Sequence, residues 1–96
     1  MANPTSMSKP TVVMYSKTTC PYCHEAERLL RARGVKDLDP IQIDLEPARR
    51  QEMIDKSGGQ RTVPQIFIGD KHVGGCDDLV ALDAAGGLVP LLSPNS

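Results

Sequence analysis

Tryptophan is missing from this 96-residue chain, and only three aromatic side chains are present, Tyr15, Tyr22 and Phe67. A surface that stacks nucleobases needs such rings, so that role has little support and the core has to be aliphatic. Charge of one sign is missing too. The 11 Lys and Arg nearly cancel the 12 Asp and Glu, and they are scattered, which leaves a nucleic-acid groove without its basic stripe. No apolar run comes near the ~20 residues of a membrane span. Residues 1–9 lack the apolar middle of a secretory signal, so the expected compartment is the cytosol.

Cysteine is also scarce. Cys20, Cys23 and Cys76 are too few to staple a scaffold, and an odd number leaves one without an intramolecular partner. The length allows one compact domain with one core and no separate substrate domain. Any catalytic site therefore lies on the surface of a single fold.

What is present reads as an orderly series of elements. Residues 1–10 are polar, carry two prolines and show no period, which predicts a loose leader with Met7 as an alternative start. Residues 11–15, Thr-Val-Val-Met-Tyr, are β-branched or apolar without polar alternation and predict a strand buried on both faces. Pro21 opens a helix with Ala26, Leu29 and Leu30 on one side, closed by Gly34 as C-cap. Residues 41–45 alternate apolar and polar and predict a second, parallel strand. Pro47 starts a second helix carrying Met53 and Ile54 inward and ending at Gly58-Gly59. Residues 65–68 predict a third strand, joined by a Gly69-Asp70-Lys71 turn to His72-Val73 as an antiparallel hairpin. Asp77 is the expected N-cap of a last helix that stops at Gly86-Gly87. Residues 88–92 are apolar enough to pack back as a short helical turn, and residues 93–96 are expected to fray.

The cysteine pair falls where the first strand meets its helix. Cys20-Pro21-Tyr22-Cys23 places Cys20 near the N-cap, where unsatisfied backbone N–H groups favour a thiolate, and Lys17 adds a cation nearby. Cys20, the outer residue, is the expected nucleophile in disulfide exchange, and Cys23, one turn inside, can displace what it binds. Pro21 suits the first helical position because its missing N–H has no partner to lose. Other readings stay open on spacing alone: half of a zinc site completed by Cys76, His24 or His72, a structural disulfide, two inert core cysteines or, with His24 following, a haem attachment.

Three separated blocks narrow the choice. Lys17-Thr18-Thr19-Cys20-Pro21-Tyr22-Cys23, Arg61-Thr62-Val63-Pro64-Gln65-Ile66-Phe67-Ile68 and Gly74-Gly75-Cys76-Asp77-Asp78-Leu79 together resemble the glutaredoxin family, in its bacterial dithiol form. The resemblance runs from about Val12 to Leu92. It implies a thioredoxin-like α/β fold, a four-stranded mixed sheet flanked by helices in the order β-α-β-α-β-β-α, with the domain at 11–92.

The same resemblance implies glutathione-dependent reduction of protein disulfides and glutathione mixed disulfides, with Cys20 attacking and Cys23 resolving. It implies a cis bond before Pro64 that turns the Val63 backbone toward the cysteines. Lys17 and Arg61 suit the glutathione carboxylates, Tyr22 walls the site, and Gly75, Cys76, Asp77 and Asp78 suit the γ-glutamyl end. Glutathione enters as co-substrate, with no tightly bound cofactor, no metal and no catalytic role for Cys76. Disulfide-bonded or glutathionylated proteins are the expected partners of a monomer. Two rivals remain. One is a redoxin fed by thioredoxin reductase, against which the lack of Trp counts. The other is an iron-sulfur module bridging two subunits, against which Pro21 counts.

Overall fold

A computed structural model describes residues 10–92. Residues 1–9 of the expected leader, with Met7, and the expected frayed end at 93–96 lie outside the described residues. In chain order come β1 (Val12–Ser16), α1 (Pro21–Ala32), β2 (Ile41–Gln42), α2 (Pro47–Lys56), β3 (Gln65–Ile68), β4 (Lys71–Gly74), α3 (Cys76–Ala84) and α4 (Leu88–Leu92). The strands lie in the order β2-β1-β3-β4, with β1 parallel to β2 and β3 antiparallel to both its neighbours. This is the four-stranded mixed sheet expected.

The continuous apolar character of β1 has a direct cause. Successive strand residues point to opposite faces, and helices cover both. Met14 packs with Ala26, Leu30, Ile66, Leu79 and Leu88 on the face of α1, α3 and α4. Its neighbour Tyr15 packs with Ile43, Met53 and Ile54 on the face of α2. Neither face of β1 has room for a polar alternation. The Tyr15 hydroxyl, fully buried, donates to the Glu52 carboxylate. Arg49 holds that carboxylate through Nε and Nη2 at 3.0 and 3.2 Å. Burial and the Glu52 carboxylate push the Tyr15 phenol up to about 12.

Several boundaries differ from the sequence reading, and the fourth strand runs Lys71–Gly74, taking in Lys71 from the expected turn. The first strand starts and ends one residue later than residues 11–15. The second strand covers only Ile41–Gln42. The Ile43 N–H still bonds the Ser16 carbonyl at 2.9 Å, but Leu45 and Glu46 both donate to the Gln42 carbonyl at 3.1 and 3.0 Å. The chain has turned, so the alternation breaks and Leu45 is left 65% exposed. Helix α1 is capped by Arg33, and Gly34, at φ +103°, follows the cap. Gly34 N–H to Arg31 O and Val35 N–H to Leu30 O, both 3.1 Å, form the paired closure that needs a left-handed residue there. At α3 the N-cap is Gly75, not Asp77. Asp78, in the third helical position, sends its Oδ2 back to the Gly75 N–H at 3.0 Å, so the acid that closes this end lies inside the helix.

Candidate active site

Cys20 is the N-cap of α1 in extended geometry, and its Sγ accepts the Cys23 N–H at 3.2 Å. A sulfur in that position satisfies an orphan helix donor, and it does so better as thiolate than as thiol. The first turn of α1 holds no acidic residue to oppose that charge. Cys20 is half-buried and Cys23 is 1% exposed. The two are joined as a disulfide with Cα atoms 5.2 Å apart. Cys20, the expected nucleophile, is thus the more accessible sulfur of the pair, and Cys23, the expected resolver, the covered one.

Opposite Cys20 stands the segment before β3. The Val63–Pro64 bond is cis, and the Val63 carbonyl oxygen lies 4.0 Å from Cys20 Sγ. Beside it runs an open groove of about 500 Å³ whose walls are Tyr22, residues 60 and 62–65, residues 72–75 and the start of α3 at Cys76, Asp77 and Asp78. Gly74 shapes the far end. Its φ is +115°, and a Cβ there would run into the Asp78 carboxylate, so only glycine fits.

Of the residues singled out in the sequence, Tyr22, Val63, Pro64, Gly75, Cys76, Asp77 and Asp78 line this groove. Lys17 and Arg61 are exposed and stand outside its lining. Tyr22 is 67% exposed and forms an outer wall. Cys76 is buried, and burial first, then Asp77 and Glu25, raise its thiol above the usual cysteine range. A thiol so held is a poor nucleophile. Among the described residues, no group of three or more His, Cys, Asp and Glu is placed to hold a metal ion. None of their helices is long and apolar enough to cross a membrane.

Further residues line the groove. Gly74 belongs to the Gly74-Gly75 step quoted in the sequence, whereas Gln60, Thr62, Gln65, His72 and Val73 were not assigned to the site there. The signal was available for Thr62 and Gln65, which flank Val63-Pro64, whereas His72 arrives through its pairing with Phe67 across the hairpin. Asp44 was missed as well. It accepts the Thr18 N–H at 3.2 Å and the Thr18 hydroxyl at 2.5 Å. These bonds tie the loop leading to Cys20 onto the turn that follows β2, and they hold the Asp44 carboxyl below its ordinary range.

The comparisons agree with this geometry. The glutaredoxin family model matches residues 12–73, a span that includes both cysteines and the cis-proline. Glutaredoxin 3 of Escherichia coli strain K12 is 58% identical over 81 residues, 84% of this chain and 95% of that protein. A glutaredoxin of Neisseria meningitidis is 54% identical over 84 residues, 88% of this chain and 98% of its own length. Among solved structures, a buckwheat glutaredoxin-glutathione complex superposes with a TM-score of 0.78 at 38% identity, covering 90% of this chain and 78% of the other. The solution structure of a Brucella melitensis glutaredoxin gives 0.76 at 44% identity and covers 98% of each chain. A match that runs through the dithiol turn and the segment facing it, at such identity and over nearly whole relatives, has one consequence: this chain belongs to the glutaredoxin family.

Proposed function

We propose that this protein is a glutathione-dependent thiol-disulfide oxidoreductase that works through Cys20 and Cys23. The observation that carries the reading is Cys20 at the N-cap, its Sγ accepting the Cys23 N–H at 3.2 Å beside a groove large enough for a tripeptide.

With a glutathionylated substrate, the Cys20 thiolate attacks the glutathione sulfur. The Cys20–glutathione bond forms, the substrate disulfide breaks and its thiolate leaves and takes a proton. A second glutathione thiolate then attacks the sulfur of bound glutathione, returning Cys20 as thiolate and releasing oxidised glutathione. With a protein disulfide, Cys20 forms the mixed disulfide and Cys23 closes on Cys20, expelling the second substrate thiol. The burial of Cys23 suits a group that acts only on what Cys20 already holds.

Glutathione has an extended backbone, two carboxylates and an ammonium. We assign its backbone to Val63 and the edge before Pro64, where free main-chain groups can pair with an extended peptide. Its γ-glutamyl carboxylate goes to the N–H groups at the start of α3, with an Asp side chain there meeting the ammonium. Tyr22 covers the near side, and Lys17 and Arg61, outside the groove lining, reach the glycyl carboxylate from solvent on flexible stems. The glutathione bound by the buckwheat glutaredoxin supports glutathione as the ligand. Regeneration by glutathione suits work in the reducing cytosol as a monomer on disulfide-bonded or glutathionylated proteins.

Cys20→Ser and Cys23→Ser test the mechanism on two substrates, a glutathionylated peptide and a disulfide-bonded protein. Cys20→Ser should lose both activities, and Cys23→Ser should keep the first and lose the second. Full activity of Cys20→Ser on either substrate would sink the proposal.

A further inference from the structure

The wall of the groove contains a hydrogen-bonded chain that the exchange chemistry leaves unused. Gln65 Nε2 donates to the Thr62 carbonyl at 3.0 Å and lies 3.3 Å from the Thr62 hydroxyl. At its other end, Gln65 Oε1 lies 2.7 Å from His72 Nε2. An amide side chain has one donor end and one acceptor end. A carbonyl can only accept, so the NH2 group must face Thr62, Oε1 must face His72, and His72 Nε2–H is the donor. Gln65 is 3% exposed, so water offers its amide little alternative. The imidazole is held in turn. It stacks on Phe67, ring centroids 4.7 Å apart and planes 23° from parallel, in cross-strand register.

The bridge closes a short span. Between Thr62 and Gln65 lie only Val63 and Pro64, and Val63 is the residue whose carbonyl faces Cys20 Sγ. The chain of bonds therefore runs from β4, through a buried amide, to the edge that meets the nucleophile.

We propose that His72 and Gln65 are positioning residues for the glutathione edge: His72 orients the Gln65 amide, and the amide holds Thr62 so that Val63 presents its backbone to the ligand. This inference rests on the reading of that edge as the glutathione site. Neither side chain takes part in the thiol exchange. Their effect is on how well the edge is preformed, and preorganisation of this kind acts on binding. It should appear in KM for glutathionylated substrate with little change in kcat.

The test separates the donor from the ring. His72→Phe keeps a flat ring over Phe67 and removes the donor, whereas His72→Gln removes the ring and restores an N–H donor. With a glutathionylated peptide as substrate, His72→Phe should raise KM about fivefold, the effect of one ordinary hydrogen bond. Its kcat should fall less than twofold, and His72→Gln should return KM to within twofold of wild type. Gln65→Glu, which cannot donate to Thr62, should raise KM from the other end of the bridge. His72 is exposed, so its two variants carry the test even where Gln65→Glu does not fold. An unchanged KM in His72→Phe, or equal rises in His72→Phe and His72→Gln, overturns the inference. Backbone amide shifts of Thr62 and Val63 on adding glutathione to the wild-type chain check the reading beneath it. No response there overturns that reading and this inference together. A normal response beside an unchanged His72→Phe KM overturns this inference alone.

Discussion

Removing one hydroxyl, in Tyr15→Phe, should change how stability depends on alkaline pH. Tyr15 is fully buried on the α2 face of β1 and donates to Glu52, which Arg49 also holds. Its phenol is raised from 10.0 to about 12, by burial first and by Glu52 second. The neutral phenol therefore contributes stability that is fully present below pH 10 and is lost as pH rises through the folded value. Two pKa units correspond to about 2.7 kcal/mol, of which about 1.4 kcal/mol is gone at pH 11. At pH 7 a hydrogen bond to a charged group contributes roughly 1.5–3 kcal/mol, so Tyr15→Phe should be less stable there by about that amount. The phenylalanine chain has no phenol to titrate at this position. The gap between the two chains should narrow by about half between pH 9 and 11 and nearly vanish, or change sign, by pH 12. Urea unfolding of both chains at each pH measures the gap, and titrations common to the two chains cancel. A difference absorbance titration of wild type against Tyr15→Phe gives the phenol curve directly. A gap that stays flat from pH 9 to 11.5, or a phenol that titrates at 10, would refute the reasoning.

Gly74→Ala should destabilise the chain by about 1–3 kcal/mol from backbone strain alone, with more from its collision with the Asp78 carboxylate. Adding Asp78→Ala should relieve the collision and leave the strain, so urea unfolding of the double variant should show a smaller loss than the two single losses summed. Asp44→Ala removes the acceptor of the Thr18 N–H and hydroxyl and should speed hydrogen exchange at the Thr18 amide. In the wild-type chain that brace rests on a carboxyl held below its usual range by Thr18. It should be fully present above the ordinary carboxylate pKa and be lost as pH falls through the depressed value, which the Thr18 amide shift reports.

Much of the fold was legible because the signals were local. Prolines at the starts of α1 and α2 and glycines just past three helices mark boundaries by backbone sterics that act within a few residues. The run from Val12 to Tyr15 showed a two-sided strand because apolar residues on both faces need two covering layers. Residues 41–45 misled for a related reason. Alternation indicates which way side chains would point in a strand, yet whether pairing continues depends on the partner, and β1 offers its last bond to Ile43. The cap of α3 misled because Asp77 and Asp78 are adjacent acids, and only the path of Gly74 and Gly75 decides which carboxylate reaches back.

By itself the sequence determined where the dithiol sits. Cys20 and Cys23, with Pro21 and Tyr22 between them, lie on a strand-to-helix turn, and that turn places one sulfur at a helix N-terminus through bonds spanning four residues, while the blocks at 61–68 and 74–79 were needed to favour redox chemistry over a metal site. Only the tertiary structure decided what faces that sulfur. Val63, 43 residues away, is brought opposite Cys20 because β3 pairs antiparallel with β1. His72 reaches Gln65 because β4 folds back in a register set by the two-residue Gly69-Asp70 turn. A nucleophile can be encoded by neighbours along the chain. The groove beside it requires strands distant in sequence to meet in one register, and turn length together with which side chains are buried decides that register.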